Sequence, residues 1–157
     1  MKPRTVEVTR DIEAPPERVF EVLTDLDHAT EVMSGILKVE RLEGDGYEVG
    51  TIWRETRKMF GREASEVMEV TGIQAPVRTT VGSLSHGTYY TTEFHCEPID
   101  SGTRLTCSFT GEPRDPSFVQ KLGWVVFGAS GMKATKKVVA DDLADIASAA
   151  EGSTEGA

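Results

Sequence analysis

No run of about 18 apolar residues occurs in this sequence, so no transmembrane helix is expected. Cysteine is nearly absent, at 2 of 157 residues. Cys96 and Cys107 are too few for a disulfide framework, and the expected location is the cytoplasm, with both thiols reduced. Histidine is scarce as well, with 3 residues. His28, His86 and His95 show no i,i+4 spacing, and neither cysteine joins them in a ligand pattern, so no metal site and no cofactor is expected. Basic charge is short: 17 Lys and Arg against 26 Asp and Glu leave a net charge of −9. This argues against non-specific binding to nucleic acid or to anionic membranes, since both reward clustered cations. Met1 to Glu13 has no apolar core of a secretory signal. There is no P-loop, no dinucleotide fingerprint and no Gly-x-Ser-x-Gly elbow.

What is present is enough for one domain over residues 1–150, followed by a Gly, Ser, Thr and Glu tail at 151–157 expected to be disordered. A chain of this length buries roughly 70% of its unfolded surface. Residues 5–12 alternate, with Val6, Val8 and Ile12 on one side and Arg10 the misfit among them; this predicts a half-buried strand. Ala14-Pro15-Pro16 ends it, and proline in a first turn with Glu17 beside it starts a short helix. A second short helix is expected over Asp27 to Met33.

Six further strands are expected at Ile36–Leu42, Tyr47–Phe60, Arg62–Ile73, Val77–Leu84, Thr88–Glu97 and Arg104–Thr110. Glycine-bearing turns separate most of them, and Gly50 is a candidate bulge. From Pro116 to Ala150 a long helix carries Leu122, Val125, Ala129, Met132, Val139, Ala140, Leu143 and Ile146 on one stripe. The expected fold is α+β: a seven-stranded antiparallel sheet curled around the C-terminal helix, with two short helices after strand 1.

Three stretches carry a resemblance: Ile12-Glu13-Ala14-Pro15-Pro16-Glu17-Arg18-Val19-Phe20, Val49-Gly50-Thr51 and Gly102-Thr103-Arg104-Leu105-Thr106. Asp142-Leu143-Ala144, late in the long helix, fits them. With these the chain resembles the SRPBCC superfamily, the START-related and birch-pollen-allergen-like helix-grip proteins, and within it the polyketide cyclase/dehydrase-like branch. The resemblance covers about residues 5–150. It implies a deep apolar cavity between sheet and helix, in a family whose members bind lipids, hormones or polyketides, cyclise aromatic precursors or serve as oxygenase domains. The Cys and His ligands of an iron–sulfur oxygenase domain are missing, which removes that branch. Val32 stands where many relatives carry Trp or Phe, which leaves packing or cavity access at that end in question.

Several residues could carry chemistry. Tyr90, Thr92, Phe94 and Cys96 share a face of the sixth strand, and Leu105, Cys107 and Phe109 share one of the seventh. With Ser101-Gly102 as the two-residue turn, Cys96 would face Cys107 and Phe94 would face Phe109. The thiols then read as buried small hydrophobes or as a redox pair. On the third strand Trp53, Glu55, Arg57 and Met59 oppose Ile52, Arg54, Thr56, Lys58 and Phe60. The Trp53 side is expected to face inward because Trp buries more area than Ile. Glu55 then either pairs with Arg57 or a neighbouring strand, or anchors a ligand in an apolar pocket. Lys136 falls inside the helix stripe, where it must snorkel, pair, or bind an acidic head group.

Trp124 and Phe127 lie on the opposite side of the helix, among Gly123, Gly128 and Gly131, which favour a kink near Gly128. They would pack on the first helices or form a homodimer face. The expected function is reversible binding of a small hydrophobic ligand, lipid- or polyketide-like with an acidic or polar end, by Trp53, Glu55, Tyr90, Thr92, Phe94, Met132 and Lys136. The alternatives are a polyketide cyclase or dehydratase using Glu55 or Tyr90 as acid or base, and a protein-interaction module.

Overall fold

Proline chemistry sets the first corner. A computed structural model describes residues 3–59, 61–114 and 129–155. In it β1, Arg4–Ile12, runs into Pro15, whose extended backbone leaves its carbonyl to accept from the amides of Arg18 and Val19. Pro16 then opens α1, Pro16–Leu23, at a position that needs no amide hydrogen. Val19, Phe20, Val22 and Leu23 make its buried side. A 3₁₀ turn, Leu26–His28, and α2, Ala29–Val32, lead to the meander. Its strands are β2 (Ile36–Glu43), β3 (Ile52–Met59), β4 (Arg62–Gln74), β5 (Arg78–Ser85), β6 (Thr88–Ile99) and β7 (Gly102–Pro113). The final helix, α3, spans Ala129–Glu155.

The seven strands form one antiparallel sheet in the order β1-β7-β6-β5-β4-β3-β2. β1 and β3 stand five places apart in that order. In a flat sheet that is roughly 24 Å, against a helix diameter of about 10 Å. Yet α3 packs on β1 and β7 and also holds Arg57 of β3 through Asp142. The sheet must therefore curl around the helix, as the sequence pattern leads one to expect.

The core divides in two. One cluster joins α1 and α3 to β1, β6 and β7 through Ile12, Val19, Phe20, Leu23, Cys96, Leu105, Cys107, Leu143 and Ile146; Val32 packs against its edge. The other gathers Leu26, Trp53, Val70 and Val81, with Val39, Tyr47 and Met68 around them.

Four expectations need correction. The β6–β7 turn is Asp100-Ser101, so Ile99 pairs with Gly102, Cys96 with Leu105 and Phe94 with Cys107. A slip of two residues keeps every side chain on its face but makes the cysteines diagonal neighbours, too far apart for ready disulfide formation. Gly102, at φ +144°, admits no other residue here, because a Cβ would lie 2.3 Å from the Ile12 carbonyl oxygen. Second, β3 starts at Ile52 rather than Tyr47, because Gly50, at φ +96°, sits in a turn and not a bulge. In that turn the Thr51 hydroxyl accepts from the Glu48 amide. Register shifts of the bulge kind lie instead in β4, between Val70 and Gly72, and in β2, between Ile36 and Lys38 and between Arg41 and Glu43. Third, α3 continues to Glu155 instead of ending at Ala150, and the Glu151 carboxylate accepts from the Glu13 amide at 2.9 Å. Fourth, the buried stripe of α3 runs through Thr135, Val139, Leu143, Ile146, Ala147 and Ala150, and Lys136, whose helical angle falls between those of Leu143 and Ala147, is nonetheless exposed. Leu122, Trp124, Val125, Phe127 and the proposed kink at Gly128 lie outside the described residues.

Candidate functional site

Trp53 is buried, at 4% exposure, so the Trp53 side of β3 does face inward. Its ring packs against Tyr47 at 6.4 Å between centroids. The Tyr47 hydroxyl donates to Thr79 Oγ1 at 2.6 Å, and Thr79 in turn donates to the Gly72 carbonyl. Trp53 Nε1 donates to Glu55 Oε1 at 3.2 Å, and Arg57 Nε donates to Glu55 Oε2 at 3.2 Å. Arg57 then reaches across to α3, with Nη1 at 3.1 Å from Asp142 Oδ2. Period-two alternation puts Trp53, Glu55 and Arg57 on one face; a single chain of donors and acceptors thus links the sheet to the helix. Of Glu55 and Arg57 as pair or as free anchor, the structure gives the pair.

Burial pulls the Arg57 guanidinium down, but the charges of Asp142 and Glu55 outweigh it and hold the group above its ordinary value. Burial also raises the Asp142 carboxyl; Arg57 offsets this in part, while Glu55 and Asp145 add to the rise. The neighbouring turn is fixed to the same helix face, with the Ser34 amide and hydroxyl both donating to Asp145 Oδ2 at 3.0 Å. Gly35 leaves room for Arg57, whose Nη1 would lie 3.3 Å from a Cβ at that position. The cleft there, lined by Ser34, Gly35, Arg57, Lys58, Val138 and Asp142, holds about 90 Å³, room for a few waters.

Further across the inner face, Tyr90, Thr92 and Phe94 of β6 are half-buried, as are Glu66 and Met68 of β4 and Phe109 of β7. Tyr90 stacks on Phe109 at 5.3 Å with the rings 5° from parallel. Burial raises the Tyr90 phenol, a hydrogen bond with Thr88 works against it, and the charge of Glu66 adds to the rise. Ser85 Oγ donates to Glu66 Oε1 at 2.8 Å. Ser83 lies between, directly across from Tyr90 in the β5–β6 register. It is 6% exposed, and its hydroxyl is buried with no hydrogen-bond partner among the described residues. Met132, near the start of α3, is half-buried.

Lys136 is not part of this arrangement; its side chain is exposed. The reason is local. Later in α3, Leu143 and Ala147 belong to the cluster that includes Val19, Phe20, Val22 and Leu23 of α1, and Lys136, at a similar helical angle, does not. Ser83 was not singled out by the sequence, and Asp142 entered only within the Asp142-Leu143-Ala144 stretch of the resemblance, not as a site residue. Asp142 sits beside a stripe residue, where a solvated carboxylate would look the same. Ser83 sits in a polar run, Thr79-Thr80-Val81-Gly82-Ser83, whose period-two burial no hydropathy contrast marks.

Burial pushes the Cys96 thiol up to about 11 and the Cys107 thiol up to about 12. At neutral pH neither is a thiolate. Among the described residues no group of His, Cys, Asp and Glu could hold a metal ion, and no helix is long and apolar enough to cross a membrane. On the outer face an open groove runs between Ile52, Val67, Leu84 and Tyr89.

A family model described as polyketide cyclase / dehydrase and lipid transport matches residues 3–151. The sequence matches no curated protein. Solved structures share the fold. TTHA0849 from Thermus thermophilus is 22% identical with a TM-score of 0.75, over 96% of this chain and 99% of that one. The Zhui aromatase/cyclase from Streptomyces sp. R1128 is 20% identical with a TM-score of 0.70, over 98% and 94%. The ginseng major latex-like protein 151 from Panax ginseng is 12% identical with a TM-score of 0.74, over 93% and 96%.

Proposed function

Since the chain belongs to the polyketide cyclase/dehydrase and lipid transport family, we propose that it binds a small hydrophobic molecule with a polar end, reversibly, between sheet and α3. One observation carries this reading. Between the two apolar clusters, which Phe94 and Met68 respectively pack against, lie half-buried Glu66, Tyr90, Thr92 and Phe109, which belong to neither. Apolar walls with a few convergent polar groups are the usual make-up of a small-molecule site. Trp53, Tyr90, Thr92, Phe94 and Met132 would supply contact area, at roughly 25 cal/mol per Å² of apolar surface buried. Glu55 would orient the polar end. Arg57, held between Glu55 and Asp142, takes the place expected of Lys136 as the cation of the site.

Native and denaturing mass spectrometry of protein purified from its own host tests this. A native mass above the denatured one, shed on unfolding, is the expected result. Equal masses, together with no change in tryptophan fluorescence on titration with 1-naphthol or 1-methylnaphthalene, would overturn it.

A second reading is a cyclase or dehydratase. It is favoured by the likeness to an aromatase/cyclase and by the Tyr90 phenol, which burial keeps protonated and able to give a proton to an enolising ligand. Turnover of a bound polyketide that survives in Tyr90→Phe would remove Tyr90 from that role.

A further inference from the structure

Resting on the binding reading above, we infer that Ser83 is a specificity-determining contact, and that the ligand is an oxygenated hydrophobic molecule with a hydroxyl or carbonyl along its body as well as its polar end. Ser83 is 6% exposed, and its Oγ has no hydrogen-bond partner among the described residues. A buried hydroxyl left unpaired is destabilising, and buried polar groups are otherwise almost always satisfied. Ser83 also stands on the inner face. It shares a face with Val81, two residues away and a member of the Trp53 cluster, and pairs across the strands with Tyr90. Its same-side neighbour Ser85 is already engaged with Glu66 and His86, so the hydroxyl has no local route to satisfaction along β5.

The polar groups toward α3 are different in kind. Glu55, Arg57 and Asp142 satisfy one another without a ligand. Ser83, by contrast, holds a fully buried hydroxyl with a hydrogen bond still to make among the described residues. A plain hydrocarbon chain lying there would leave it unpaired, whereas an oxygen at that depth would pair with it. A serine hydroxyl both donates and accepts, so either a phenol or a ketone fits.

The experiment uses two probes of similar size, 1-naphthol and 1-methylnaphthalene, titrated into wild type and Ser83→Ala. Wild type should prefer the naphthol. Ser83→Ala should lose about tenfold affinity for it, as expected for one buried hydrogen bond, and keep or improve its affinity for 1-methylnaphthalene. Free of ligand, Ser83→Ala should melt at or above the wild-type temperature, because an unpaired hydroxyl is removed. A lower melting temperature would mean that Ser83 already has a partner, such as a buried water, and would overturn the inference. So would an unchanged naphthol preference in Ser83→Ala, with the binding reading left standing. If neither probe binds wild type, the binding reading fails, and the inference fails with it.

Discussion

Removing the Arg57 side chain should be the most informative single perturbation of this protein. Arg57, Glu55 and Asp142 are only 15%, 12% and 17% exposed, and the two ion-pair contacts are 3.2 and 3.1 Å. In Arg57→Met the volume and most of the packing of the stem remain, while two carboxylates are left together without their cation. Truncating one partner of a buried pair costs roughly 3–5 kcal/mol. These groups keep some contact with water, so about 3 kcal/mol at pH 7 is expected. For a chain of this size that is a fall of about 9 °C in melting temperature.

The penalty should depend on pH in a definite direction. The Asp142 carboxyl is raised by burial even beside Arg57, and without Arg57 it must rise further. The folded variant then holds protons that the unfolded chain releases above about pH 4. Its stability falls as pH rises through the interval between the two values and recovers on acidification. Urea unfolding at pH 7 and at pH 4 checks this. The gap between wild type and variant should shrink by half or more at the lower pH. A gap below about 1 kcal/mol at pH 7, or one of equal size at both pH values, would refute the idea that Arg57 neutralises two buried carboxylates.

Other outcomes follow from single contacts. Cys107, pushed by burial from 9.0 to about 12, keeps its proton in the fold and loses it in the unfolded chain; its stabilising contribution is complete below pH 9 and fades above it. Between pH 8 and pH 10 that is a loss of about 1.4 kcal/mol, visible as a steeper decline in wild type than in Cys107→Ala, and parallel declines would count against it. Gly102→Ala should cost at least about 2 kcal/mol in chemical unfolding, because its Cβ would lie 2.3 Å from the Ile12 carbonyl oxygen and 2.7 Å from the Ala14 amide nitrogen. Lys136→Met, at an exposed position, should change stability by no more than about 0.5 kcal/mol and leave naphthol affinity unaltered; a tenfold loss would restore Lys136 to the site.

The strands were legible because alternation and turn chemistry are local, and the inward face of β3 because Trp53 outweighs Ile52 in buried area. The β6–β7 register was not, since Asp100-Ser101 and Ser101-Gly102 are both acceptable two-residue turns that differ by a slip of two and expose the same faces. What decides between them is the β1 backbone lying against Gly102, a contact some ninety residues away in the chain. Lys136 and Asp142 show a second limit. At about 100° per residue Lys136 falls between Leu143 and Ala147, inside the stripe, and Asp142 falls just outside Thr135, yet Lys136 is exposed and Asp142 is the one held in place. Helical angle does not carry the partner that β3 brings, Arg57, which makes a carboxylate the fitting residue. Ser83 was illegible for the opposite reason: a serine among threonines and glycine reads as surface until strand pairing puts it across from Tyr90.

The pairing of β1 with β7 along their whole length, from Arg4 opposite Gly111 to Ile12 opposite Thr103, has a consequence for biosynthesis. Of these seven strands the first to be synthesised waits for the last, with the five others between them. Until then β1 is an unpaired amphipathic edge open to strands of other chains. Such a closure has high contact order and predicts slow folding. The sheet can be completed, and α3 seated on both of its flanks, only once nearly all of the chain is available.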